Sequence, residues 1–165
     1  DKEAHFDLVR MGIAMYGLSP DIQNMGGSEK LGLKPVMSLR ARLQLVKEVP
    51  AGAQVGYGGT AITKSQTKVG VVAMGYADGV PRNANNSAGV LVGNQRAPII
   101  GRVSMDQFVV DLGNDSIART GDWAYLIGGD GGGGYTADAW ASACGTINYE
   151  IVTRIGPRVP RVFIN

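Results

Sequence analysis

The chain has 165 residues, enough for a domain with a substantial core, and its 16 basic residues nearly balance its 14 acidic ones. No long basic run and no stretch of about 20 apolar residues occurs, which disfavours a nucleic-acid surface and a membrane helix. The single cysteine excludes an internal disulfide, as is typical of a reducing cytoplasm, and any Ser–His–Asp triad or His–Cys zinc site would depend on His5 alone.

The first elements differ in character. Residues 1–30 combine a strand-like start with glycines, a proline and a polar linker, so they belong to another unit. Residues 36–49 alternate apolar and polar side chains, which predicts a long half-buried strand. The apolar positions of that strand are Met37, Leu39, Ala41, Leu43 and Leu45.

The rest of the chain contains short predicted elements separated by turns. An apolar run at 67–74 predicts a central strand, and 90–100 predicts a hairpin around Gly93-Asn94. Further strands are expected at 106–112, at 122–127 and in the tail 158–164, with a glycine-rich loop over 128–134 and helices over 136–144 and 146–153. The fold class is therefore mainly β, a barrel-like antiparallel domain with one or two short helices near the C-terminus.

Several stretches place glycine or another small residue beside tyrosine or arginine. They are RMGIAMYG (10–17), VGYGGT (55–60), GYADGVPR (75–82) and GTINYE (145–150). A further stretch, GRVSMDQ (101–107), places Arg102 and Asp106 around Met105 between apolar segments. Each stretch alone is typical of a turn with a packed tyrosine, and Met105 alone of a core side chain. The two charges at 102 and 106 indicate a solvated strand end or the edge of a site.

Taken together and in order, VRMGIAMYG, VGYGGT, MGYADGVPR, APIIGRVSMDQFVVD and GTINYEIVTRIGPRVPRV resemble the alanine racemases that use pyridoxal 5′-phosphate. The resemblance covers nearly the whole chain. It implies that residues 32–165 are the family's C-terminal β domain. Residues 1–31 would be the last segment of its N-terminal (β/α)8 barrel and a linker, an orphan segment that agrees with a start at Asp1 rather than at methionine.

The resemblance implies a cytoplasmic homodimer that interconverts L- and D-alanine, the D form serving peptidoglycan of the cell wall. Two bases act on opposite faces of the α-carbon: a lysine on the barrel and a tyrosine from the partner subunit's β domain, matched here by Tyr57. A phenol, with a pKa of about 10, needs nearby cations to act as a base at neutral pH.

The same resemblance implies the remaining site residues. The backbone N–H of Met105 would bind the substrate carboxylate, and Arg10 would face the pyridine nitrogen of the cofactor. The N–H groups of Gly12 and Ile13 and the hydroxyl of Tyr149 would contact its phosphate. The substrate-access corridor would contain Tyr76, Arg82, Arg102, Asp106 and Ile147. No metal is implied.

The chain departs from the family pattern at Ser104, where cysteine is common, and at Val80, where an aromatic residue is frequent. None of its six lysines lies in the context of the cofactor-binding lysine. We therefore expect the chain alone neither to bind the cofactor covalently nor to racemise alanine. A broad-specificity or serine racemase and a non-catalytic β-barrel interaction module stay open as alternatives.

Overall fold

Short strands account for most of the regular structure in the computed structural model, which describes residues 4, 6–84, 86–129 and 133–164. The strands are β1 (Leu39–Val49), β2 (Gln54–Val55), β3 (Ala61–Ile62), β4 (Thr67–Val72), β5 (Gly89–Val92), β6 (Gln95–Ile100), β7 (Phe108–Asp111) and β8 (Trp123–Ile127). Six of these described strands form a closed antiparallel barrel in the order β1-β4-β7-β6-β5-β8, and β2 and β3 form a separate hairpin. The predicted mainly β, barrel-like fold is confirmed.

The chain divides into two units, one ending at Met37 and the other beginning at Ser38. In the first unit, a 3₁₀ helix (Ile13–Tyr16) precedes the short helix α1 (Ile22–Met25). The side chain of Asp21 caps α1 by accepting from the Asn24 backbone N–H at 3.1 Å. Its hydrogen bonds with Asn24 lower the pKa of Asp21. The segment read as a polar linker thus contains a helix, and the strand-like start forms no strand among the described residues.

Strand β1 follows the predicted alternation only in its first half. Leu39, Ala41 and Leu43 are buried, as the pattern predicts. The prediction that Leu45 lies on the same buried face is wrong, because the pairing register with β4 shifts between Leu43 and Leu45 and the side chain of Leu45 is exposed. Such an irregularity changes the face on which the following residues lie.

The outer face of β1 is covered by aromatic residues of β8. The guanidinium carbons of Arg40 and Arg42 lie 4.1 and 3.4 Å from the centroid of the Trp123 ring, and Arg40 also donates to the Tyr125 hydroxyl at 3.0 Å. These contacts add to the backbone ladder that closes the barrel between β1 and β8.

Two helices near the C-terminus match their predicted positions: α2 (Ala137–Cys144) and α3 (Asn148–Thr153). Thr136 caps α2 by accepting from the Ala139 backbone N–H at 3.0 Å. The buried indole N–H of Trp140 donates to the Leu126 carbonyl at 2.6 Å, which ties α2 to β8. The described residues include no helix long and apolar enough to span a membrane.

The tail after α3 differs from the expected strand. Residues 160–164 have no regular structure, so the strand predicted over 158–164 is wrong. Prolines at 157 and 160 lack the N–H that a ladder requires. The Arg161 guanidinium instead donates to the carbonyls of Ile155, Gly156 and Val159. His5 and residues 130–132 of the predicted glycine-rich loop lie outside the described residues.

Candidate functional site

Tyr57 begins a 3₁₀ turn, Tyr57–Gly59, between β2 and β3, and 73% of its surface is exposed. The preceding Gly56 adopts φ 76°, a conformation that side-chain-bearing residues rarely adopt. A Cβ atom on Gly56 would lie 3.0 Å from the Arg102 amide nitrogen. Glycine at 56 therefore lets the turn approach the 101–107 loop while the phenol of Tyr57 extends into solvent.

The side chain of Arg102 lies beside this turn. A Cβ on Gly58 would be 3.9 Å from the Arg102 Nη1 atom, and a Cβ on Gly101 would be 2.8 Å from the Val55 carbonyl oxygen. The structure thus brings the Tyr57 turn and Arg102, predicted from separate motifs, into one neighbourhood.

Met105 lies in a loop, because β7 begins only at Phe108. The Ser104 N–H donates to the Gln107 carbonyl at 2.9 Å, whereas the Met105 N–H has no acceptor within the part of the chain that the structure describes. The Met105 side chain is 53% exposed, so it is not the core side chain that the isolated motif suggests. Its backbone donor is available to a ligand.

The 3₁₀ turn Tyr76–Asp78 packs on that loop. The Tyr76 and Ala77 N–H groups donate to the carbonyls of Ser104 and Met105, both at 3.0 Å. A Cβ on Gly75 would lie only 2.3 Å from the Met105 carbonyl oxygen, so this contact requires glycine. Tyr76 is thereby held next to Met105, with its side chain partly exposed.

Asp106 is paired with a residue that sequence reasoning did not single out. The Arg158 Nη2 atom lies 2.6 Å from Asp106 Oδ1, and its Nε lies 3.1 Å from Oδ1 of the largely buried Asp78. The hydrogen bond with Asp106, and then the charge of Asp78, raise the pKa of Arg158. Both Asp78 and Arg158 lie in quoted motifs, but nothing in those motifs indicates that they meet.

An open cleft of about 660 Å³ gathers further predicted corridor residues. Arg82 and Arg102 line it together with Arg154 and Glu150. Glu150 accepts a hydrogen bond from the Thr146 hydroxyl. Within the described residues, none of these three arginine side chains has an acceptor or an ion-pair partner. The cleft therefore presents unpaired positive charge.

Ile147 and Tyr149 lie next to that cleft in sequence, at the start of α3. Ile147 precedes the first residue of α3 and is largely exposed. The hydroxyl of Tyr149 has no hydrogen-bond partner in the described chain, and 37% of the residue is exposed. Both side chains can contact a molecule outside this chain.

The other predicted cofactor contacts, Arg10, Gly12 and Ile13, belong to the first unit. The N–H groups of Gly12 and Ile13 open the 3₁₀ helix and have no acceptor among the described residues. A Cβ on Gly12 would meet nothing within 4 Å, so there is open space beside Gly12. Arg10 is exposed, and its guanidinium has no partner in the described segments. Backbone N–H groups without an internal acceptor are the kind of donor that binds phosphate oxygens.

Comparison with protein families matches residues 36–163 to the alanine racemase C-terminal domain. The alanine racemase of Streptomyces coelicolor is 54% identical over 163 residues, which cover 99% of this chain and 41% of that protein. The alanine racemase of Vibrio cholerae is 46% identical over 157 residues, covering 95% of this chain and 42% of its own length. The chain thus spans well under half of these relatives.

Solved structures give the same result. The alanine racemase of the D-cycloserine-producing Streptomyces lavendulae superimposes with a TM-score of 0.93 at 53% identity, covering 99% of this chain and 42% of that one. The alanine racemase of Bartonella henselae, described with covalently bound pyridoxal phosphate, superimposes with a TM-score of 0.88 at 33% identity, covering 99% and 44%.

Proposed function

Because this chain belongs to the alanine racemase family and carries its C-terminal domain, we propose that it completes the active site of a pyridoxal 5′-phosphate-dependent enzyme interconverting L- and D-alanine. The enzyme acts in the cytoplasm as a homodimer and supplies D-alanine for peptidoglycan. Residues 1–31 are the end of the (β/α)8 barrel, and residues 32–165 form the domain that contributes to the partner subunit's site.

One observation carries this proposal: the turn that begins at Tyr57 packs on the 101–107 loop, which contains Met105, and neither the Tyr57 hydroxyl nor the Met105 N–H has a hydrogen-bond partner in the described chain. A phenol and a backbone donor left open on two segments that pack together are suited to a proton and a carboxylate of one small substrate. A purely structural turn would pack its tyrosine.

In the proposed reaction the ionised oxygen of Tyr57 removes the α-proton from one face of alanine, or the Tyr57 hydroxyl returns a proton to that face. This role requires cations near the phenol, which in the family come from the barrel. The Met105 N–H donates to the substrate carboxylate and so fixes which face of the α-carbon Tyr57 meets. The second base lies outside this chain, in which no lysine has a matching context.

Each unit carries groups of a kind that would suit the cofactor. As the family resemblance implies, the N–H groups of Gly12 and Ile13 would contact its phosphate and Arg10 would face its ring nitrogen. The hydroxyl of Tyr149, in the second unit, would be a further phosphate contact. When bound, the cofactor supplies stabilisation of the negative charge left on the α-carbon after proton removal. The cationic guanidinium of Arg10 would disfavour a proton on the ring nitrogen.

The access corridor is formed by Tyr76, Arg82, Arg102, Asp106 and Ile147. The unpaired guanidinium groups of Arg82 and Arg102 in the cleft attract the carboxylate of incoming alanine. Asp106 does not cancel this charge, since Arg158 pairs with it. Alanine therefore approaches Met105 with its carboxylate drawn to the positive side of the cleft.

The test is α-hydrogen exchange, followed by NMR, of L-alanine in heavy water with pyridoxal phosphate. The full-length protein that contains this chain should exchange the α-hydrogen and form D-alanine, whereas this chain alone should do neither. A full-length protein without exchange would refute the proposal. Equal rates with serine and alanine would favour a broad-specificity racemase instead.

A further inference from the structure

We propose that Arg158 is a positioning residue that fixes the direction of the Met105 N–H toward the substrate carboxylate. The inference rests on the proposed function, because it concerns the donor assigned to that carboxylate. It adds a residue from the segment after α3, outside the predicted catalytic, cofactor-binding and corridor residues.

Three segments that are distant in sequence meet around Arg158: the turn 75–79, the loop 104–106 and the segment 154–158. The Gly156 N–H donates to the Asp78 carbonyl at 2.9 Å. A Cβ on Gly79, which has φ +111°, would lie 2.5 Å from the Arg154 carbonyl oxygen. The segment after α3 is therefore packed against the turn, and Arg158 starts from a fixed position.

From that position the guanidinium connects the other two segments. Its Nε contacts Asp78 in the turn at 3.1 Å, and its Nη2 contacts Asp106 in the loop at 2.6 Å. The second oxygen of Asp78 accepts from the Gly75 N–H at 2.9 Å, so this carboxylate also holds the start of the turn. The planar arrangement of donors in arginine can contact two carboxylates at once, which a single ammonium group does less well.

The link to Met105 follows from the planarity of the peptide bond. The Ser104 carbonyl and the Met105 N–H belong to the same peptide unit and point in opposite directions. The Tyr76 N–H holds that carbonyl at 3.0 Å, so the position of the turn sets the direction of the Met105 donor. Arg158 fixes the turn through Asp78 and the residue after Met105 through Asp106.

The exposure of the Arg158–Asp106 ion pair indicates whether Arg158 affects mainly the stability of the fold or the orientation of the loop. The side chains of Arg158 and Asp106 are 55% and 58% exposed, and such exposed ion pairs contribute little to global stability. The effect of losing Arg158 should therefore appear in the orientation of the loop, and hence in carboxylate binding, more than in unfolding.

The experiment uses the full-length enzyme with bound cofactor. Arg158→Met is expected to raise the KM for alanine about tenfold and to change kcat less than about threefold. The inhibition constant of propionate, which keeps a carboxylate but lacks the amine, should rise by the same factor. In hydrogen–deuterium exchange, the N–H groups of Tyr76 and Ala77 should lose protection.

Two further variants separate orientation from charge. Arg119→Met removes a cation from the loop between β7 and β8, and it should leave KM, kcat and the propionate constant unchanged. Arg158→Lys keeps the charge but lacks the planar guanidinium that contacts Asp78 and Asp106 together. It should therefore also raise KM. It replaces Arg158→Met as the test variant if Arg158→Met does not fold.

Asp106→Asn provides an independent check, because it removes one of the two carboxylates. Combined with Arg158→Met, it should raise KM by less than the product of the two single effects. If the double variant instead raised KM by the product of the two single effects, Arg158 and Asp106 would not be coupled and the proposal would be overturned.

Unchanged KM and propionate binding in an active enzyme would overturn the role of Arg158. A lower melting temperature and kcat with unchanged KM would also overturn it, since Arg158 would then act on stability. An inactive wild-type enzyme would instead contradict the proposed function, so the two failures are distinguishable.

Discussion

Gly75 lies so close to Met105 that a Cβ atom at position 75 would be 2.3 Å from the Met105 carbonyl oxygen. The backbone of Gly75 is extended, with φ −144° and ψ −163°, so any residue could adopt it. Glycine is required here by the neighbouring loop and not by its own conformation. The contact places the Tyr76 turn directly on the backbone that carries the proposed substrate donor.

Replacing Gly75 by alanine should separate the turn from the loop. We expect a loss of about 1–3 kcal/mol in the free energy of unfolding, as for other overpacked sites, and a raised KM for alanine. Denaturant unfolding and steady-state kinetics measure the two effects. Gly27→Ala is the matched control, because a Cβ there meets nothing within 4 Å. Equal effects of both substitutions would contradict the close-contact explanation.

Tyr57→Phe removes only a hydroxyl that has no internal partner in the described chain. We expect racemisation by the full-length enzyme to fall by about 10²–10⁴-fold, the usual contribution of a general base, with an unchanged melting temperature. Tyr135→Phe is the control, because Tyr135 lies outside the proposed site. The centroid of its ring is 5.0 Å from the Arg96 guanidinium carbon. Unchanged turnover in Tyr57→Phe would remove Tyr57 from the mechanism.

Trp140→Phe should be more destabilising than Trp123→Phe. Trp140 is fully buried and donates to the Leu126 carbonyl, so its loss leaves a cavity and removes a buried hydrogen bond. Together these cost about 2–4 kcal/mol. Trp123 lies on the outer face against Arg40 and Arg42, and phenylalanine keeps a ring there, so about 1 kcal/mol or less is expected. Denaturant midpoints of both variants test the order.

Burial raises the pKa of the Cys144 thiol; Glu150 acts in the same direction and Arg154 opposes it. The thiol should therefore resist alkylation at pH 8 in the folded protein and react fully in denaturant. Peptide mass spectrometry after iodoacetamide treatment measures this. Rapid labelling of the native protein at pH 8 would show that the thiol is accessible and ionised.

The same shift predicts a stability effect at alkaline pH. The unfolded thiol begins to ionise above its ordinary pKa of about 8.5, while the folded thiol stays protonated, so stability is lost as pH rises further. Between pH 8 and pH 10, a range that includes the ordinary thiol pKa of about 8.5, the melting temperature of Cys144→Ala should fall less than that of the unsubstituted protein. Identical falls in both proteins would assign the alkaline loss to other groups.

Local patterns predicted the elements whose cause is local. The hairpin β5–β6 follows from Gly93-Asn94, and α2 follows from the Thr136 cap and the small apolar residues after it. The first half of β1 follows from the alternation of Leu39, Ala41 and Leu43. The family resemblance, and not these patterns, supplied the candidate roles of the site residues, and those roles stay predictions.

The features that the sequence did not reveal depend on partners far along the chain. The exposure of Leu45 follows from a register shift against β4, which no alternation within β1 can indicate. The sequence predicts a strand over the tail, but its prolines and the Arg161 contacts prevent pairing. Arg158 and Asp106 are 52 residues apart in the sequence, so neither of the motifs that contain them predicts their contact.

The two strand pairings of β1, with β4 and with β8, should form at different times during folding. On one side, β1 pairs with β4, which follows it closely; on the other side, Arg40 bonds to Tyr125, 85 residues later. Because closing a longer loop costs more chain entropy and contacts of high sequence separation fold slowly, the seam between β1 and β8 should form last. A ribosome must therefore release β8 before the barrel can close, and until then β1 keeps one unpaired edge that could pair with another nascent chain.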